Sequence, residues 1–246
     1  NNKICDDVNN IYNDRNFICS NNIYPPWNGP PIINNVIVEN KTLYNIGDVG
    51  PGGGIIFFSK YLFTNVNFVN GITSFQTNYD SDYIKNLPFD YLEAAPSNWY
   101  NSNSDPKIPY EKQVDDEIVE SDTLEEIGDG IINTNNLVSY YTNKDNNRNN
   151  AALCAFTLNI NGYYDWYLPC IDELKLMFNN IYINNNNIGN FVEYDNGNDI
   201  EYYSSTSAIT IVFSSNMGNR GKIRDDNDDG TLHFVRPIRG FSIISF

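Results

Sequence analysis

The sequence predicts an α+β fold with an antiparallel sheet and two to three helices, and three observations carry that expectation. Within residues 168–182 the apolar side chains Ile171, Leu174, Met177, Phe178 and Ile181 recur at spacings of three and four, which makes one buried helical stripe. Residues 149–158 hold Ala151, Ala152, Leu153, Ala155 and Phe156, a short apolar run of good helix formers. Beyond residue 200 the chain turns to Ser, Thr, Ile, Val and Phe in short runs separated by Gly and Asn, a strand-and-turn pattern. Strands at the ends with helices between them favour α+β over a βαβ array.

Taken in order, residues 1–40 form a segment apart. Pro25-Pro26-Trp27-Asn28-Gly29-Pro30-Pro31 fixes φ at its four prolines and resists helix, so an extended connector is expected, followed by a strand-prone Ile32-Ile33-Asn34-Asn35-Val36-Ile37-Val38. The main domain then spans residues 41–246. Gly47-Asp48-Val49-Gly50-Pro51-Gly52-Gly53-Gly54 leads into Ile55-Ile56-Phe57-Phe58. No Gly-Lys-Ser/Thr follows, and a phosphate cradle needs a helix N-terminus where this chain has a β-branched, aromatic run. A tight turn feeding a buried strand is the better account. Residues 60–90 mix aromatics with Asn and Asp at no steady period and read as an insertion with one short strand. The acidic run over 105–130 reads as a solvated face. A helix is expected to begin near Asn133-Thr134, which could cap it, with Leu137, Val138 and Tyr141 as its stripe. The helix over 168–182 should start just after Pro169, with Asp172 and Glu173 in its first turn. Three late strands are expected around Tyr202-Tyr203, Ile209 to Phe213 and Leu232 to Val235.

Composition limits the partners. The 246 residues carry 15 Lys plus Arg against 31 Asp plus Glu, a net charge of −16, and this repels nucleic acid and anionic lipid. No apolar run reaches the ~18 residues that a membrane-crossing helix needs. The opening Asn1-Asn2-Lys3 has neither Met nor an apolar signal core, so the natural start is expected further upstream. Asn occupies 43 positions, including Asn184 to Asn187 in one run, and is read as turn-forming surface rather than as a functional signal. The four cysteines, Cys5, Cys19, Cys154 and Cys170, contain no C-x-x-C pair, which argues against a zinc ribbon or a thioredoxin-like site. Pairing Cys5 with Cys19 and Cys154 with Cys170 closes the shortest loops and would place the chain in an oxidising compartment. The other reading is buried thiols.

Several motifs together resemble a known family. Ile46-Gly47-Asp48-Val49-Gly50-Pro51-Gly52-Gly53-Gly54-Ile55-Ile56-Phe57-Phe58 is followed by Leu92-Glu93-Ala94-Ala95-Pro96 with Trp99, then by Ile127-Gly128-Asp129-Gly130 with Asn133-Thr134, and then by Ala151-Ala152-Leu153-Cys154. Asn161-Gly162-Tyr163-Tyr164-Asp165-Trp166-Tyr167-Leu168-Pro169 with Asp172-Glu173-Leu174, Tyr203-Ser204-Ser205-Thr206, and Val235-Arg236-Pro237-Ile238-Arg239-Gly240-Phe241 complete the series. In this order they resemble the C-terminal domain of the Legionella collagen-like adhesin over roughly residues 44–241, with residues 1–40 and 60–90 as additions. The resemblance implies a C-type-lectin-like fold, close to the variant used by formylglycine-generating enzymes and by hypervariable receptor-binding proteins of phages. It also implies a trimeric, glycan-binding module. The adhesin's affinity for sulfated glycans needs basic surface, and a chain at −16 departs from that. Where the family commonly has Ser ahead of the Asp-Glu-Leu helix, this chain has Cys170, a poor cap, so a disulfide from Cys154 to Cys170 is expected to offset the loss. Tyr203 stands where the family often has Trp and is read as a core aromatic.

The functional expectation is a non-catalytic recognition module, extracellular on a cell or virion surface, that binds a glycan or a host surface protein. Its binding residues are expected in the loops between the late strands: Tyr202, Asn216, Arg220 and Arg224. Arg236 and Arg239 are expected to pair internally with acids. Asp225, Asn227 and Asp229 take the first, third and fifth places of a calcium loop, with Gly230 sixth, but Arg236 stands where the twelfth-place Glu belongs, so a solvated acidic turn is the competing account. His233 is the only histidine, so nothing supports a His-based triad, and no carboxylate pair for glycoside hydrolysis stands out. The alternative functions are a structural coat or assembly protein docked through residues 1–40 and, behind it, a carboxylate-dependent glycoside hydrolase.

Overall fold

The computed structural model describes residues 43–70, 73–100, 103–109, 113–114, 117–118, 124–144, 150–193, 198–206, 209–213, 220–225 and 232–243. The expected N-terminal connector, with Cys5 and Cys19, lies outside them.

The architecture is α+β. Strands β1 (Ile55–Ser59), β2 (Asn67–Asn70) and β3 (Thr73–Gln76) precede helix α1 (Ser81–Lys85). Strands β4 (Tyr91–Ala94), β5 (Lys107–Pro109), β6 (Gln113–Val114) and β7 (Glu117–Ile118) lead to helices α2 (Asp129–Lys144), α3 (Ala151–Phe156) and α4 (Ile171–Met177). Strands β8 (Glu201–Tyr203), β9 (Ile209–Val212), β10 (Ile223–Asp225), β11 (Leu232–Phe234) and β12 (Ile238–Phe241) close the chain. One sheet has the order β1-β4-β12 and a second the order β10-β9-β8-β11-β5, while β2-β3 and β6-β7 are separate pairs. The expected antiparallel sheet is nearly realised, but β11 runs parallel to β8 through Phe234 and Tyr202.

The helices begin where local chemistry allows. The amphipathic stripe is α4, and it continues as a π-helix over Phe178–Ile183, so Ile171, Leu174, Met177, Phe178 and Ile181 all lie in the core. Helix α2 begins at Asp129, ahead of the expected Asn133-Thr134 cap. Gly128 takes a φ of 101°, the left-handed region that glycine favours, and turns the chain into the helix. Thr134 and Asn133 therefore lie inside the helix, where Thr134 Oγ1 donates to Gly130 O at 2.7 Å and Asn133 Nδ2 donates to Leu124 O at 2.7 Å. Residues 60–90 hold more order than one strand. The hairpin β2–β3 is followed by α1, whose N-cap Asp80 accepts hydrogen bonds from Asp82 N–H and Tyr83 N–H. The Asn-rich run is a turn, with Asn186, Asn187 and Asn190 all at positive φ.

The predicted Cys154 to Cys170 disulfide is absent: both residues keep their thiols. The reason is visible at the start of α4. Cys170 supplies no side-chain cap, but Glu173 Oε2 accepts its N–H at 2.8 Å, Thr206 Oγ1 accepts Ile171 N–H at 3.0 Å, and Glu125 O accepts Asp172 N–H at 3.2 Å. The backbone donors at this end are met by Glu173 within the helix and by Thr206 and Glu125 outside it, so no covalent compensation is needed. The Cys170 thiol itself donates to Glu126 O at 3.0 Å.

One core lies between the β1-β4-β12 sheet, α4 and strands β8 and β9; another joins α2 and α3 to Trp99, Trp166 and Tyr203. Tyr203 is buried, as expected of a core aromatic. No helix among the described residues is long and apolar enough to cross a membrane.

Candidate functional site

A groove of about 360 Å³ opens beside the end of α1, the start of α2 and strand β12. One wall is Tyr83 with the turn Asn86-Leu87-Pro88-Phe89 that ends α1. The other is Ile127, Gly128, Asp129, Ile131 and Ile132, and Asp165, Tyr167 and Gly240 complete the lining. The surface is mostly aliphatic and aromatic, which is the usual character of a ligand pocket with a few polar groups to orient the guest. Each wall is braced. Tyr83 OH donates to Ile127 O at 3.0 Å, and Lys60 Nζ holds Leu87 O at 2.9 Å. Gly240 lies under Phe89, whose ring leaves no room for a Cβ at that position.

The carboxylates around the groove differ in how fully they are engaged. Asp165 accepts from Arg239 Nε at 2.7 Å and from Arg239 Nη2 at 2.9 Å, so both its oxygens are taken by one fork. Asp129 Oδ2 accepts Glu126 N–H at 2.8 Å. Burial holds the Asp129 carboxyl above the usual range, and the nearby acids Glu126 and Asp172 add to that. Behind the wall, fully buried Glu173 accepts from Cys170 N–H, from Gly128 N–H at 3.0 Å and from Tyr167 OH at 3.2 Å. Desolvation pushes its carboxyl up to about 7, against the hydrogen bonds that favour the ionised form.

The remaining buried charges are structural pairs. Arg239 also donates through Nη1 to Glu93 at 2.6 Å, with its guanidinium 4.0 Å from the centre of the Tyr163 ring. Glu93 accepts Gly52 N–H and Gly54 N–H as well, so the glycine-rich bend wraps a carboxylate rather than a phosphate. Arg236 holds Asp105 by two hydrogen bonds of 2.5 Å and donates to Ala95 O and Gly189 O. Both arginines thus have the internal role expected of them.

The described binding candidates, Tyr202, Arg220 and Arg224, do not line the groove. Tyr202 is a correction: it is fully buried, donates to Asp105 Oδ2 at 2.6 Å and accepts Val192 N–H at 3.0 Å, so it is core rather than loop surface. Its ring packs on Phe213 and Phe191, which the apparent strand-end position did not reveal. Arg224 is salt-bridged to Asp199 at 2.6 Å and to Glu201. Arg220 lies half-buried with its guanidinium 5.5 Å from the Tyr182 ring centre. Asn216, Asn227 and Asp229 lie outside the described residues, and only the backbone of Asp225 is described, at the end of β10. The calcium loop therefore falls outside the described residues, among which no group of His, Cys, Asp or Glu is arranged to hold a metal. His233 Nδ1 lies 4.0 Å from Glu201 Oε2 and is not among the residues that line the groove.

No family model, no curated protein and no solved structure matches this chain. The site is therefore argued on its own geometry. Three of the motifs, Ile127-Gly128-Asp129-Gly130, the segment containing Asp165 and Tyr167, and the last one through Gly240, do meet at the groove. The fourth contributor, residues 83–89, belongs to the stretch that reads as an insertion, and no period or motif there signals a wall.

Proposed function

We propose that this chain is a non-catalytic recognition module, a C-type-lectin-like variant of the α+β class, that works outside the cell on a cell or virion surface and binds a glycan or a host surface protein. The observation that carries this reading is the groove, whose guest-facing surface is mostly apolar and whose carboxylates, the second oxygen of Asp129 apart, are held by structural partners. Asp165 is locked by Arg239, and Glu173 is sealed behind Tyr167 and Gly128. General acid–base chemistry on a glycoside calls for two carboxyls facing one bond about 5–10 Å apart, and that arrangement has no support here. A hydrophobic surface with few polar groups instead suits binding.

The test is binding of the purified chain to a glycan array and to cultured cells, each with and without a chelator. Ile132 is 45% exposed on the groove wall, so Ile132→Glu should fold normally. It is expected to weaken binding at least about tenfold by placing a charge in the apolar surface. Binding that Ile132→Glu leaves intact would move the site elsewhere, and no binding in any format would favour the coat-assembly reading.

A further inference from the structure

The groove also constrains its occupant, and this inference rests on the recognition reading above. Its polar side chains are few. Tyr83 OH spends its proton on Ile127 O, Tyr167 OH spends its own on Glu173, and both Asp165 oxygens are taken by Arg239. A sugar seated here would bury several hydroxyls against Leu87, Pro88, Phe89, Ile131 and Ile132, and unpaired buried hydroxyls are costly. An apolar side chain meets no such cost.

Charge selects what stands beside that side chain. No Lys or Arg is among the lining residues, and Lys85, at the end of α1, is turned to Asp82 at 3.3 Å. Asp129 has one oxygen on Glu126 N–H and no hydrogen bond to Oδ1 among the described residues, and Glu126 adds negative potential beside it, while Asp172 is balanced by Lys175. At long range the net charge of −16 steers cationic partners inward and turns sulfated or sialylated glycans away.

We propose that the groove receives a segment of a partner protein, with an apolar side chain seated against Leu87, Phe89, Ile131 and Ile132 and an adjacent Lys or Arg ion-paired to Asp129. The Asp129 carboxylate acts as the specificity element, and the apolar wall provides the contact area. Neutral glycans are the competing occupant.

The full chain is probed with an immobilised positional library of acetylated, amidated tetrapeptides, a neutral-glycan array and an anionic-glycan array. The expected result is selection of Lys or Arg beside Leu, Ile or Phe, with Glu at the basic position about tenfold weaker, and a basic preference that fades as salt rises. Asp129→Asn keeps an acceptor for Glu126 N–H and should erase the basic preference while the apolar preference survives. Ile132→Glu should abolish both, with thermal melting to show that each variant is folded. Peptides selected without a basic preference, or a preference that survives Asp129→Asn, overturn the proposal. Neutral-glycan binding that Ile132→Glu abolishes overturns it too, but leaves the recognition reading standing. Silence in all three formats overturns both.

Discussion

Glu173 is a carboxylate with no Lys, Arg or His as counter-ion among the described residues, surrounded by apolar side chains and held by two backbone N–H groups and a phenol. Its folded pKa of about 7 exceeds the model-peptide value of 4.5, so the folded state binds the proton more tightly than the unfolded chain. The contribution is fully present below about pH 4.5 and is lost as pH rises through about 7. Buried groups of this kind shift stability by on the order of 3 kcal/mol over such a span. Urea denaturation across pH 5 to 8 should therefore show Glu173→Gln with a flatter pH dependence than the parent. The variant should also be less stable at pH 5, because an amide cannot accept from Cys170 N–H and Gly128 N–H together. Arg236 provides a second residue-scale test. It is buried and is the counter-charge of buried Asp105, so Arg236→Met should cost about 3–5 kcal/mol in the same assay. Adding Asp105→Asn should recover part of that loss, because it removes the stranded charge, while its single amide oxygen keeps an acceptor for only one of Tyr202 and Trp99.

At the scale of elements, legibility followed periodicity. Helix α4 was readable because five apolar residues fall on one stripe, and α3 because alanine and leucine crowd a short run. The start of α2 was misplaced by four residues, since Asn133 and Thr134 look like caps in sequence but bond within and behind the helix. The start is set by the left-handed turn at Gly128, which no stripe reports. Strands β2 and β3 and helix α1 were merged into an insertion because the first two form an isolated pair and the third is one turn long, too short for a period. That loss mattered most, because α1 and its turn form one wall of the groove. The glycine-rich bend was read correctly as a turn into a buried strand, though its purpose, two N–H donors for Glu93, depends on a strand about 40 residues away. A Cβ at Gly54 would strike the carbonyl oxygen of Ala94, which belongs to the sheet backbone and cannot swing aside. Gly54→Ala should thus lower stability by about 2–3 kcal/mol, measured by thermal melting.

For the whole molecule, the sequence conveys the α+β class and the internal use of Arg236 and Arg239, whereas Arg224, read as a binding residue, is ion-paired to Asp199 and Glu201, and the place of the site arises only from the meeting of distant segments. Tyr202 illustrates the limit: alternate residues on a strand face opposite ways, yet Tyr202 and Tyr203 are both buried because β8 is covered on both faces, which no alternation in the sequence reports. The thiols carry a similar lesson. Burial pushes the Cys154 thiol up to about 12 and holds that of Cys170 well above its ordinary value, so neither is an active nucleophile. Iodoacetamide should leave both unmodified until denaturant is added, and non-reducing peptide mapping should find no Cys154 to Cys170 link.

Strand β4 is paired on one edge with β1 and on the other with β12, both antiparallel to it, with Ile55 and Ile238 level with Ala94 and Ser59 and Phe241 level with Tyr91. The chain enters this sheet at the Ala94 end and leaves it at the Tyr91 end. A pull applied to the two termini would therefore drag β1 and β12 in opposite directions along their lengths, loading the rungs on both sides of β4 in shear. Rungs loaded together resist where rungs unzipped in turn yield, so this three-stranded sheet is arranged to resist a pull along its strands.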